Sequence, residues 1–127
     1  MMVIFPDIEK IIVEYLAAEF QSEFFRVSVK KTPAEQPQPD NEIVVTAAYG
    51  AEDNHVMKTA SLTLEVYANN YASANSLALS VESFIRNCTG EFIKRAIVLL
   101  GPVRIEEEGQ MEKRAIDIEL IVRGSTQ

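Results

Sequence analysis

Tryptophan is absent, and 127 residues hold one cysteine, one histidine, five glycines and five prolines. Each shortage removes a class of explanation. A lone cysteine makes no internal disulfide, so the chain must close on its hydrophobic core, which this length allows for a single domain, residues 1–127. Cys88 reads as a small buried hydrophobe on the apolar stripe of a helix, in a reducing compartment. His55 beside Asp53 is too little for a metal centre or a triad, which need several convergent groups. The glycines stand singly at turns and element ends, so no Gly-rich phosphate cradle is present. No apolar run approaches the ~20 residues of a membrane-spanning helix. Asp7, Glu9 and Glu14 interrupt the first apolar residues and no basic segment precedes them, so no signal peptide is expected. Cations are also scarce, 12 Lys and Arg against 19 Asp and Glu for a net charge of −7. That balance argues against a phosphate-tracking nucleic-acid binder, whose affinity comes from a basic face. Glu106-Glu107-Glu108 is a solvated acidic turn, since consecutive residues converge poorly on a cation. No catalytic, cofactor-binding or metal-ligating residue is nominated, and no enzyme is indicated.

What is present is regular patterning. Pro6-Asp7 signals a helix start, with Asp7 as the cap, and Ile8, Ile11, Ile12, Tyr15, Leu16 and Phe20 make one apolar stripe ending around residues 21–23. Phe25-Arg26-Val27-Ser28-Val29 alternates as a short strand with Phe25, Val27 and Val29 on one face. The segment 32–41, with Pro33, Pro37 and Pro39, cannot join a central sheet, because proline lacks the ladder donor. It reads as an exposed loop between strands, either an ordinary connection or an arm that orders against a neighbour. At about ten residues it is long for a hairpin, where roughly two to five are usual.

Glu42 to Tyr49 is the next strand, with Ile43, Val45 and Ala47 facing one way. Gly50 to Asn54 forms a turn, and a long strand from His55 to Ala68 completes an antiparallel hairpin whose tip, Tyr49 to Met57, projects. Within that strand Ser61-Leu62-Thr63-Leu64-Glu65-Val66-Tyr67 alternates strictly. The period then changes to helical over Ala74, Leu77, Ala78, Val81, Phe84, Ile85 and Cys88, with Asn70 or Ser73 as the cap and Asn87 and Gly90 as stops. Ala96 to Ile105 is a strand bent at Gly101-Pro102. Met111 to Arg123 closes the chain, alternating Ile116, Ile118, Leu120 and Val122 against polar partners, with Ile121 as the apolar exception. The order helix, strand, hairpin, helix, hairpin specifies an α+β fold: two helices packed on one face of a mainly antiparallel sheet of about five strands. The other face, with Ser61, Thr63, Glu65, Tyr67, Asp117 and Glu119, is expected to meet water.

Three segments carry a resemblance: Ile4-Phe5-Pro6-Asp7-Ile8-Glu9 leading into a helix through Tyr15-Leu16; Leu62-Thr63-Leu64-Glu65-Val66-Tyr67-Ala68 with its Ala-rich helix; and the closing Ile118-Glu119-Leu120-Ile121-Val122-Arg123-Gly124. Over nearly the whole chain these resemble the tail terminator and neck (head–tail joining) proteins of long-tailed bacteriophages. Many of those proteins carry an Arg-Pro-rich stretch before the second strand; Gln36-Pro37-Gln38-Pro39-Asp40 lacks the arginine, so no basic contact is carried over to this loop. The resemblance implies a structural virion protein, assembled in the host bacterial cytoplasm. It implies a ring, commonly of six copies, at the head-proximal end of the tail tube, which ends tube polymerisation and docks the head. Its implied partners are itself, the tail tube protein and a head-completion or connector protein. DNA would pass through the lumen without sequence-specific binding, no membrane would be involved, and no cofactor is called for. Pro33, Pro37, Pro39, Tyr49, His55, Met57 and Ile121 are the candidate interface residues. The alternatives are another neck component or a small ligand-binding or enzymatic α+β domain.

Overall fold

The structure is a computed structural model that describes residues 2–52, 54–106, 109 and 111–126. The elements run β1 (Val3–Ile4), α1 (Ile8–Phe20), β2 (Phe25–Ser28), β3 (Asn41–Glu52), β4 (Met57–Ala68), α2 (Tyr71–Ile85), β5 (Ile93–Ile105), β6 (Glu112–Arg123) and β7 (Ser125–Thr126). The fold is α+β, with both helices on one side of a five-stranded sheet of order β2-β3-β4-β6-β5. Every neighbouring pair in it is antiparallel except β2 and β3.

The helices form where their caps and stripes require. Asp7 accepts from the Lys10 amide and Asn70 from the Ser73 amide, each satisfying a donor that the first helical turn leaves free. The α1 stripe buries Ile8, Ile12 and Leu16, and the α2 stripe buries Ala74, Ala78, Val81 and Ile85. Beneath them lie Ile43 and Val45 of β3, Leu62, Leu64 and Val66 of β4, and Ile116, Ile118 and Leu120 of β6, all essentially inaccessible. Tyr15 stacks on Phe84 at 4.4 Å between ring centres and donates from its hydroxyl to the Phe84 carbonyl, tying the two helices.

Strand polarity explains the long proline-bearing loop. Because β2 runs parallel to β3, with Phe25 opposite Asn41 and Ser28 opposite Val44, the chain must return the length of β2 before pairing. A parallel pair needs a crossover of about a dozen residues, and residues 29–40 provide it. The loop is therefore a crossover, not an outsized hairpin. The Gln38 amide donates to the carbonyls of Pro33 and Gln36, lacing it to itself.

Other expectations change at element ends. Val29 is exposed, because β2 stops at Ser28 with its last partner on β3. Gly50 belongs to β3, which continues through a register shift between Tyr49 and Glu52, so the turn starts later than the composition suggests. The β3–β4 tip does not project: β6 accompanies β4 as far as Met57 opposite Arg123, and the Gly124 amide donates to the Val56 carbonyl. Cys88 lies beyond α2 but is buried. The bend at Gly101-Pro102 is present as register shifts between Val98 and Val103. β1 and β7 pair as a separate ribbon, Val3 opposite Thr126 and Ile4 opposite Ser125. A β-carbon at Gly124 would stand 2.6 Å from Val3 Cγ1, so only glycine fits where the ribbon meets the main sheet.

Candidate interaction surfaces and buried charges

The candidate interface residues do not form one surface. Pro33, Pro37 and Pro39 lie in the crossover loop, which ends where Asn41 pairs with Ala68. Tyr49, His55, Met57 and Ile121 lie toward the other end of the same strands, where Tyr49 pairs with Ala60, Thr59 with Ile121 and Met57 with Arg123. Tyr49 is committed internally: its hydroxyl donates to the Pro6 carbonyl at 2.7 Å and its ring packs edge-on against Phe5. Lys58 Nζ sits over both rings, 4.7 Å from Phe5 and 5.6 Å from Tyr49. His55 is exposed in the bend before β4, and Asp53 lies outside the described residues, as do Glu107 and Glu108. Among the described residues, no three His, Cys, Asp or Glu side chains converge on a point that could hold a metal ion.

Two charged groups that the sequence reading missed are buried. Glu42 is inaccessible. Its Oε2 accepts from the Thr32 amide and the Thr32 hydroxyl, both at 2.9 Å. Lys31 Nζ stands 2.9 Å from Oε1, a charge contact outside hydrogen-bond alignment, and Arg26 reaches 4.0 Å from Oε2. Lys31 also lies over the Tyr67 ring, with Lys113 near the same ring. Tyr67 is thus buried beneath these chains rather than facing water, and the crossover loop straps down one end of the open sheet face. Glu65 lies 2.6 Å from Lys113 Nζ, and this bond holds the ammonium pKa above its usual range. Further along, Thr63 donates to Asp117 directly across the sheet.

Arg114 is the second. Its Nε donates to Asn75 on α2, and Nη1 donates to Glu112 and to the Lys113 carbonyl. Nη2 has no acceptor among the described residues, but the Tyr71 ring centre lies 5.0 Å from the guanidinium carbon. Arg104 approaches the same ring and shares Glu112, whose pKa falls chiefly through the Arg104 hydrogen bond. Alternation could have found this residue: Arg114 is in phase with Ile116, Ile118 and Leu120 and so points to the helix side. Glu42 had no such signal, because its phase on β3 is the open face and only the folded loop buries it.

Two concavities accompany the helices. A cleft of about 200 Å³ lies beside α1, lined by Ile11, Tyr15, Cys88, Phe92 and Ile93 among others. Burial there pushes the Cys88 thiol pKa up to about 11. Native protein at pH 8 should therefore react with an aromatic disulfide reagent at least tenfold more slowly than protein unfolded in urea; equal rates would refute the burial. A shallower, more open groove of about 700 Å³ separates the helices, with Phe20, Leu79 and Phe84 among serines and Glu19. No helix among the described residues is long and apolar enough to cross a membrane. No family model matches the chain, and no curated protein does either.

Proposed function

We propose that the chain is a structural, non-catalytic subunit of a self-closing ring at the head-proximal end of a phage tail tube, where it ends polymerisation and presents a docking surface to the head. The observation that carries this reading is apolar surface on separate sides of one rigid body. Phe24 and Val29 flank β2, Leu79 tops the inter-helix groove, and Met2 and Ile4 stand at the β1–β7 ribbon, all well exposed. A ring needs two unlike patches, each meeting the other on the next subunit, and exposed apolar groups are the usual material of such contacts.

The three segments that carry the resemblance also form one body. β4 and β6 pair along their whole lengths, with α2 packed on that pair and α1 on the neighbouring β2 and β3. The proposed partners are further copies of the chain, the tube protein and a head-completion or connector protein, with DNA passing through an acidic lumen. Purified protein added to growing tail tubes should cap one end and arrest elongation, seen by negative-stain electron microscopy as tubes of uniform length. Tubes that keep growing, in a preparation that its own terminator does arrest, would remove the proposal. A ring at the connector with no effect on tube length would instead assign another neck component.

A further inference from the structure

The sheet has two edges, and the chain treats them differently. On the β2–β3 edge, three outward backbone donors are occupied from within. Phe25 exchanges both its bonds with Ser22, the Val27 amide donates to the Gln21 side chain, and the Ala47 amide donates to Glu9 Oε2 at 2.9 Å. Capping of this kind stops another strand from adding there. The opposite edge is β5, thirteen residues long, and no loop or side chain covers it among the described residues. Its middle is apolar and open: Leu99 is 62% exposed, Leu100 49%, Val103 36% and Ile105 37%.

Charge is divided along this strand. Lys94 and Arg95 open it, both exposed and without ion pairs among the described residues, whereas Glu106, 3.3 Å from Arg104 but with its side chain 89% exposed, follows its end and begins an acidic run in the sequence. The ends of β5 are therefore opposite in sign, with an apolar centre between them. A second β5 laid antiparallel across a two-fold axis at Leu100 places Lys94 opposite Glu106 twice and, nearer the centre, Ile97 opposite Val103 and Val98 opposite Pro102, with Arg95 facing Ile105 and Ala96 facing Arg104 between them. Moving the centre one residue toward the N-terminus would oppose Lys94 to Arg104, so charge disfavours that register.

We infer that β5 is a self-association edge whose occupant is a second copy of this chain, paired antiparallel about Leu100. Pro102 and the register shifts between Val98 and Val103 divide the backbone ladder into two short runs, so side chains carry the middle of the contact. An edge blunted solely to stay unpaired would carry charge at its centre, where this one carries leucine. Because the other edge is capped, the pairing closes at two copies and does not propagate into a fibre. It joins two subunits or two rings and is independent of the tail-end reading.

Light scattering over a concentration series tests it, with a contact at the small end of the interface range, below ~1,200 Å², placing the transition at micromolar protein or above. The mass should rise from 14.2 kDa toward twice that value. Lys94→Glu with Arg95→Glu should abolish the dimer, and so should Glu106→Lys with Glu107→Lys and Glu108→Lys. An equimolar mixture of the two variants should restore it, since every end then meets its opposite. Leu100→Lys, at an exposed position, should give a monomer with an unchanged circular dichroism spectrum. A wild-type monomer at ~1 mM overturns the inference. Variants that still dimerise, or a mixture that stays monomeric, overturn it too. Rings that survive every variant overturn the β5 contact and leave the tail-end reading standing.

Discussion

Leu64→Asp leaves no folded protein at 25 °C, whereas Leu77→Asp folds with reduced stability. Leu64 sits at the middle of β4, between Val45 on β3 and Ile116 on β6, and is completely inaccessible. The substitution forfeits roughly 2–3 kcal/mol of apolar burial and places a carboxylate where it has no partner, at a further cost of several kcal/mol. A domain of this kind holds ~5–15 kcal/mol in total, so the native state does not survive. Leu77 is only partly buried on α2, where a carboxylate can lean into water. A loss of about 1–2 kcal/mol there corresponds to a drop of roughly 1 M in the urea midpoint. Circular dichroism and amide dispersion in nitrogen-correlated spectra read both outcomes. A native spectrum for Leu64→Asp would mean that β4 is not the central strand.

Periodicity reports burial only where a residue's environment is set by its own element. Leu64 and the even positions of β6 obey it, because helices cover one whole face of β4 and β6. Both helices, both hairpins and the bend at Gly101-Pro102 were legible for that reason, and so were the Asp7 and Asn70 caps. The parallel pairing of β2 with β3 was not, since a strand of four residues carries no sign of its direction. The length of the loop after it was the available clue. The β1–β7 ribbon was also invisible, being two residues from each end of the chain. The candidate surface fared similarly: an edge is defined by what fails to pair with it, and that emerges only once strand order is known. Leu99 and Leu100 in a bent apolar strand read equally well as core, and their exposure follows from β6 lying between β4 and β5.

Glu42→Ala should cost about 3 kcal/mol and release residues 29–40 from the open sheet face. Removing Glu42 orphans the buried Thr32 amide and hydroxyl and takes a partner from the partly exposed Lys31 and Arg26, an effect of ~3–5 kcal/mol when nothing moves. Here the loop can move, and water then satisfies the Thr32 amide and hydroxyl, which places the cost at the lower end. Movement also uncovers Tyr67 and Val44, both buried on the open face. Two measurements separate this from a general loss of packing. Hydrogen exchange at the Thr32 amide should accelerate by far more than the global destabilisation accounts for in β4 and β6, and protease should cut first within 29–40. Glu42→Gln keeps a carbonyl oxygen for Thr32 while discarding the charge facing Lys31, so it should hold the loop and lose about half as much stability. Because the carboxylate is buried, added salt should change the difference between the two variants very little. If Glu42→Gln matched Glu42→Ala in both stability and exchange, Lys31 rather than Thr32 would be what ties the loop down. Lys31→Met would then reproduce the release on its own.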